Sequence, residues 1–337
     1  MKPIANIFPE LTTPKKVVIT MHQAPDADAM GSSLALYHLL VQLGHKVTVV
    51  SPTNWPANLD WMPGCNLVLN YENSLQKEEI HQAIEKADWL FCLDFNAIYR
   101  VKDLASILRA ATCTRILIDH HQQPEVESFH YGISNKAKSS TCEMLYDAIT
   151  ASGHSDKINI PMMDCLYSGV MTDTGSFRFD STTQSVHNMV ADMKSRGLNH
   201  TPVHDNIYDN KSVNQLYFLG HALLNRMQVF HEYNTSLITI FKADFLKYDI
   251  KNGGTEGLVN YQLTIKDIKL AVICIEEDNR IRLSFRSKGS FDVNTFSRTH
   301  FEGGGHHNAA GGHTNVSLDQ TIEKFIEAMK ENASQLQ

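Results

Sequence analysis

No apolar run in the 337-residue sequence approaches the roughly 18 residues a membrane-spanning helix needs. The amino-terminal stretch MKPIANIFPELTTPKK also lacks the apolar segment of a secretory signal, so the expectation is a cytoplasmic protein with no membrane partner. Cysteines are few and scattered: Cys65, Cys92, Cys113, Cys142, Cys165 and Cys274 form no C-x-x-C pair. Cys92 and Cys274 lie in apolar runs, where a thiol behaves as a small hydrophobe, which argues against zinc or redox roles. A surplus of positive charge is missing as well. Lys and Arg number 30 against 37 Asp and Glu, a net charge of −7, so no basic stripe is available to track long nucleic acid. The G-x-S-x-G, G-x-x-x-x-G-K-[ST], G-x-G-x-x-G and H-E-x-x-H patterns are absent, which excludes the usual serine-hydrolase, P-loop, dinucleotide-binding and zincin readings.

What remains is an ordinary globular composition, 42% hydrophobic and 20% charged, long enough for two cores. The first half alternates strand-like runs (Val17–Met21, Lys46–Val50, Trp89–Leu93, Arg115–Ile118) with stretches of helical spacing (Ala29–Leu43, Lys77–Ala87, Leu104–Ala111, Thr141–Ser152, Met162–Met171). That alternation predicts an α/β domain with a mostly parallel sheet and helices on both faces, over residues 1–195. Residues 196–215 are polar and read as a linker or hinge. Beyond them strand-like runs come in neighbouring pairs, Met227–Glu232 with Ser236–Phe241 and Leu270–Glu276 with Arg280–Phe285, predicting a smaller α+β domain over 216–337.

Carboxylates and imidazoles follow three strand-like runs and one further apolar segment of the first half. Val17–Met21 leads into His22, Asp26 and Asp28; Trp89–Leu93 leads into Asp94; Arg115–Ile118 leads into Asp119, His120 and His121; Leu166–Met171 leads into Asp173. In an open parallel sheet, ligands bind beyond the carboxyl ends of the strands. A single Asp after a strand is more often a turn residue, and Asp26 or Asp28 could simply cap the following helix. Four such segments converging on one edge would repel one another unless cations lay between them. Asp26, Asp28, Asp94 and Asp173 offset the charge of two divalent ions. A ligand set of carboxylate and imidazole without thiolate suits Mn²⁺, or Mg²⁺, better than structural zinc.

His22-Gln23-Ala24-Pro25-Asp26-Ala27-Asp28-Ala29, then Asp94, Asp119-His120-His121 and Asp173-Thr174-Gly175, resemble the four ordered motifs of the DHH phosphoesterase superfamily. Many members carry Gly where this chain has Ala27, an exchange of one small residue for another. Gly303-Gly304-Gly305-His306, followed by Ala309-Ala310-Gly311, resembles the signature of the DHH-associated substrate domain. Together with the compact length, the pattern resembles the branch of nano-RNases and 3′-phosphoadenosine 5′-phosphate phosphatases. The resemblance implies that His22 and Asp26 hold one ion, that Asp28, His120 and Asp173 hold another, and that Asp94 bridges them. It implies that Asp119 orients an imidazole and that His121 faces the scissile phosphate as hydrogen-bond donor or general acid.

The second half supplies local positive charge. Arg280, Arg282, Arg286, Lys288 and Arg298 fall within nineteen residues that contain one acid, Asp292. Arg280 and Arg282 read as a solvated strand face. Arg286 with Ser287 resembles the family's phosphate-binding Arg-Ser, and Gly304, Gly305 and His306 read as a backbone clamp for phosphate or, alternatively, a tight turn before a helix. Arg100 and Ser139-Ser140-Thr141 are further candidate substrate contacts, the latter equally a helix cap. The implied partners are short single-stranded oligonucleotides and phosphorylated nucleotides, not long duplexes, and a homodimer is left open. Rival readings are pyrophosphate or polyphosphate hydrolysis, a linear-dinucleotide phosphodiesterase, and a catalytically silent nucleotide- or RNA-binding module.

Overall fold

The computed structural model describes residues 1–250, 254, 255 and 257–337. The chain divides into two compact units, Met1–Asn210 and Lys211–Gln337. In the first unit, β1 (Lys2–Pro3), β2 (Lys16–Met21), β3 (Lys46–Ser51), β4 (Leu69–Asn70), β5 (Trp89–Leu93), β6 (Thr114–Asp119) and β7 (Tyr131–Ser134) form one sheet, in the order β1-β7-β6-β5-β2-β3-β4. Every neighbouring pair is parallel. The helices are α1 (Ala27–Gln42), α2 (Lys77–Glu85), α3 (Ala105–Ala110), α4 (Thr141–Ala151), α5 (Ile160–Asp173), α6 (Gln184–Ser195) and α7 (His200–Tyr208).

The period-two alternation of strand side chains divides the core between two faces. Val17, Ile19, Trp89, Phe91, Leu93, Ile116 and Ile118 pack with α1, α4 and α5. Val18, Leu90, Cys92 and Leu117 face the other way, toward Ile80 and Ile84 of α2 and Leu108 of α3. The strands are therefore covered on both sides, which is why they read as continuous apolar runs. The helix α7 falls in the polar stretch read as a linker. Val203 and Ile207, one turn apart, are buried in the first unit's core, and only two apolar contacts in nine residues left the helix hidden in the sequence.

The second unit carries α8 (Val213–His221), β8 (Met227–Phe230), β9 (Thr235–Ile240), α9 (Lys242–Tyr248), α10 (Leu258–Gln262), β10 (Leu270–Glu276), β11 (Ile281–Ser287), α11 (Val293–His300), β12 (Gly304–His306), β13 (Ala309–Thr314), α12 (Leu318–Glu331) and α13 (Ala333–Leu336). Its sheet runs β12-β13-β11-β10-β9-β8, antiparallel except between β9 and β10. Both expected strand pairs form hairpins. Along β11, Ile281, Leu283 and Phe285 are buried while Arg282, Ser284 and Arg286 take the opposite, half-exposed face. Among the described residues no helix is long and apolar enough to cross a membrane.

Candidate metal centre

The carboxyl ends of β2, β5 and β6 bring the first unit's acidic and imidazole side chains together. His22 follows β2, and its Nδ1–H donates to the Gln23 carbonyl at 2.8 Å, which makes Nε2 the nitrogen with a lone pair to offer a cation. The loop after it is tied down by Gln23 N–H on the Arg100 carbonyl, at 2.8 Å, and by Ala24 N–H on the Thr53 hydroxyl, at 2.6 Å. Asp26 is the N-cap of α1: its Oδ1 accepts from the amides of Asp28 and Ala29 at 3.0 and 3.1 Å. The cap reading of Asp26 is realised, and the same Oδ1 lies 3.8 Å from His22 Nε2.

Asp28 is fully buried in the first turn of α1. Its carboxylate accepts from the Thr141 and Cys142 amides, at 2.6 and 2.9 Å, where the positive end of α4 offsets the cost of burying the charge. Asp94, the residue after β5, takes a left-handed backbone conformation with φ of 62°. Such a conformation is tolerated by aspartate more readily than by most residues and costs on the order of 1–3 kcal/mol. It turns the two carboxylate oxygens to different neighbours. Oδ1 lies 3.4 Å from His120 Nε2 and accepts from the Thr141 hydroxyl at 2.9 Å, while Oδ2 lies 3.4 Å from His22 Nε2. Asp173, at the end of α5, reaches His120 Nε2 at 3.3 Å, and Asp28 Oδ2 lies 3.7 Å from the same nitrogen.

These contacts make two adjoining donor sets, His22 with Asp26 and Asp94, and Asp28 with His120 and Asp173. In each, the donor atoms lie within 4.8 Å of one another, the spacing of groups that could hold a metal ion. Asp119 is fully buried behind them, and its Oδ1 accepts from His121 Nδ1 at 2.8 Å. That bond fixes the proton on Nδ1 and makes Nε2 the basic nitrogen of the neutral ring.

The electrostatics reflect four carboxylates crowded together. Burial, then the charge of Asp94, pushes the Asp28 carboxyl up to about 7. Burial and Asp28 likewise raise Asp173 well above the carboxylate range. Burial alone would also raise Asp94, but hydrogen bonds from His120 and His22 outweigh it and hold Asp94 well below that range. For His22, burial works against the charged form, yet Asp26 and Asp94 raise it to about 10. His120 is raised in the same way, chiefly by Asp94 and Asp173 against burial. Protons thus gather where divalent cations would neutralise the same carboxylates.

Sequence reasoning missed the layer that holds these side chains. The Lys138 carbonyl accepts from His120 Nδ1 at 3.4 Å. The loop that carries it is fixed by the buried Glu143, which accepts from Lys138 Nζ, Ser139 N–H and the Ser139 hydroxyl, each at 2.8 Å. The Ser140 hydroxyl caps α4 by accepting from Glu143 N–H at 3.0 Å. Within Ser139-Ser140-Thr141, Ser140 thus takes the helix-cap reading, while Ser139 bonds Glu143 and Thr141 bonds Asp94. A capping pattern ahead of an apolar helix was the one available signal. Arg100 sits half-buried just beyond β5, and the contact that ties it to the site is its own carbonyl.

In the second unit, Arg286 ends the polar face of β11, with one guanidinium nitrogen donating to the Phe285 carbonyl at 2.9 Å. Arg280 and Arg282 both pair with Glu277, at 2.8 and 2.9 Å, in keeping with a structural face. The Ser287 hydroxyl is buried; it donates to the Phe291 carbonyl at 2.6 Å and accepts from Asn308 at 2.9 Å, so it braces the loop beside Arg286. The glycine run is not a turn before a helix. It forms β12, hairpinned with β13, and the Gly305 amide donates to Asn294 Oδ1 at 3.0 Å. A Cβ at Gly305, whose φ is 153°, would lie 2.7 Å from the Ala310 Cα, so glycine lets the two strands approach. The Arg298 guanidinium packs beside Gly304, and His306 stands at the turn end of the hairpin, opposite Ala309.

A parallel sheet whose carboxyl edge gathers two carboxylate–imidazole sets, followed by a smaller sheet unit with an arginine-bearing strand, defines a phosphoesterase class that the comparisons identify. Residues 16–170 match the DHH family, N-terminal domain, and residues 235–335 match the DHHA1 domain. The chain belongs to the DHH superfamily, in the NrnA branch. It is 26% identical over 338 residues to the bifunctional oligoribonuclease and PAP phosphatase NrnA of Thermus thermophilus, covering 98% of this chain and 94% of that one. It is 25% identical over 298 residues to the protein of the same name from Bacillus subtilis, covering 88% of each. A crystal structure of an exopolyphosphatase-related protein from Bacteroides fragilis superposes with a TM-score of 0.93 at 33% identity, over 98% of this chain and 97% of that one.

Proposed function

We propose that the protein hydrolyses short oligoribonucleotides to mononucleotides and 3′-phosphoadenosine 5′-phosphate to AMP. One observation carries the reading: the two oxygens of Asp94 face different imidazoles, each belonging to a different donor set. His22 and Asp26 would hold one cation, Asp28, His120 and Asp173 the second, with Asp94 shared. The two imidazoles favour Mn²⁺ over Mg²⁺, which prefers oxygen alone. Two cations held in this way would supply a hydroxide at neutral pH and neutralise charge on the phosphoryl oxygens.

The remaining steps belong to side chains. Asp119 holds the His121 ring so that Nε2 exchanges the proton with the leaving oxygen, a role that needs a fixed tautomer. Arg286 binds a substrate phosphate through two parallel hydrogen bonds, and Arg100, Lys288 and His306 add charge or donors. Ser287 holds the Arg286 loop in place, and Gly304 leaves room beside Arg298. The first unit is thus the catalytic domain and the second the substrate domain. The Bacteroides fragilis relative's name favours one rival, polyphosphate hydrolysis. Side-by-side assays with Mn²⁺ on a diadenylate, 3′-phosphoadenosine 5′-phosphate, pyrophosphate and polyphosphate decide between them. Release of AMP from the first two, with little phosphate from the others, is expected; turnover of polyphosphate alone would overturn the proposal.

A further inference from the structure

We propose that Phe179 is a stacking platform for a nucleobase, set beside the ligand Asp173, so that the site binds the base of its substrate as well as the phosphate. The inference rests on the reading of the substrate as a nucleotide and adds a base subsite to it. It starts from an anomaly of the backbone. After α5 ends at Asp173, Gly175, Ser176 and Phe177 in succession take left-handed conformations, with φ of 57, 61 and 64°. Glycine adopts this region freely, but a bulky aromatic such as Phe177 rarely does, and strained conformations of this kind persist only where the surroundings impose them.

Here the surroundings do. The Ser176 amide donates to the Met171 carbonyl at 2.7 Å, and the amides of Arg178 and Phe179 donate to the Thr174 carbonyl at 2.9 and 3.0 Å. The Thr174 hydroxyl accepts from the Phe177 amide at 3.0 Å, and Arg178 Nε donates to the Gly175 carbonyl at 2.6 Å. The chain is curled tightly back on the end of α5.

The curl sorts two phenylalanines. Phe177 turns inward and packs against Tyr167, with ring centroids 5.7 Å apart. Phe179 turns outward and keeps 49% of its surface exposed. Its ring lies over the backbone of Gly175: a Cβ built there would sit 2.6 and 2.8 Å from the two Cε atoms, and nearer still to Cζ. Such nearly equal approaches place the glycine over the face of the ring, not at its edge. One face is therefore braced by backbone two residues from Asp173, and the ring retains a large surface in water.

A large apolar ring is costly to leave in water, and a turn already bearing strain gains nothing from holding one there. The arrangement is explained if a flat apolar partner covers the ring during turnover. Every nucleobase has a π-face, so stacking on Phe179 would serve nucleotides of any sequence while rejecting phosphoesters that lack a base.

The test compares a dinucleotide with a matched dinucleotide in which tetrahydrofuran residues replace the nucleosides. Phe179→Leu should raise KM for the base-bearing substrate about tenfold, the worth of one base–aromatic stack, with a much smaller change on the abasic one. Phe179→Tyr should restore the wild-type KM. A second readout needs no turnover: in metal-free Phe179→Trp protein, AMP should quench a fluorescence component absent from the wild type, and ribose 5-phosphate should not. Equal losses on both substrates, or no loss on either, would overturn the stacking site while leaving the phosphoesterase reading intact. Inactivity of the wild-type protein toward both would overturn the underlying reading and this inference with it.

Discussion

Asp94 is where the chemistry and the backbone meet: a left-handed residue at a strand end, buried, with each oxygen facing a different histidine. Its orientation depends on Thr141, whose hydroxyl donates to Oδ1 at 2.9 Å. Thr141→Val keeps the shape and the backbone amide but removes that bond. Turnover or Mn²⁺ affinity should fall by about 10–100-fold, the usual cost of losing a group that orients a ligand; wild-type values in both would show that Asp94 is held without it. The protons on the cluster make a second prediction. Asp28, His22, His120 and Asp173 all have folded pKa values raised above their unfolded ones. A raised group binds more protons when folded, so stability falls as pH rises between the unfolded and folded values. For Asp28 that window runs from about 4 to about 7, and for His22 from about 6.5 to about 10. Metal-free protein should therefore lose melting temperature from pH 5 to pH 8, and Mn²⁺, by displacing the protons, should abolish the decline. A melting temperature that rises with pH in metal-stripped protein would contradict the arrangement.

At the scale of elements, α1 and α5 bring Asp28 and Asp173 to the same site because they cross closely. A Cβ at Gly169 of α5 would lie 2.6 Å from Asp28 Oδ1 and 2.8 Å from its Cα. Gly169→Ala should cost about 1–3 kcal/mol by overpacking and weaken Mn²⁺ binding in parallel, because Asp28 must move. Gly220→Ala in α8, where nothing lies within 4 Å, should leave Mn²⁺ binding unchanged and raise stability by up to about 1 kcal/mol. Thermal unfolding and Mn²⁺ titration of the two variants check the contrast. The same elements show what a sequence can reveal. Strands covered on both faces are apolar throughout and stop abruptly on Asp94, Asp119 or His22, so both the sheet and its edge were legible. The Gly169–Asp28 contact was not, because nothing local distinguishes a glycine at a helix crossing from one elsewhere. The helix α7 was masked by its polar residues. The bond from the Gly305 amide to Asn294 was not legible either, because Asn294 lies in another element.

For the whole molecule, charge sets the range of substrates. The chain carries a net charge of −7, and the cations proposed for phosphate, Arg286, Lys288 and Arg100, are few. A single-strand binder shows a log–log salt slope of about −0.7 per phosphate contacted, so two or three contacts give a slope of about −1.4 to −2. Catalytic efficiency should therefore fall steeply beyond about five nucleotides, since a longer strand meets net repulsion. Hydrolysis of 2-, 5-, 10- and 24-mer RNA across a salt series checks both, and equal activity on the 24-mer with a steep slope would indicate a processive nuclease.

The sharing of Asp94 between two cations is tested most directly by counting Mn²⁺ bound at equilibrium to wild-type and Asp94→Asn protein, with turnover of a dinucleotide measured on the same samples. Wild type should bind two ions per chain. Asp94→Asn should keep its fold, bind fewer than two, and lose roughly 10³-fold in turnover, the several kcal/mol of transition-state stabilisation that such a site provides. A wild-type protein that binds one ion or none, or an Asp94→Asn variant that binds two and keeps more than about a tenth of wild-type turnover, would contradict the account.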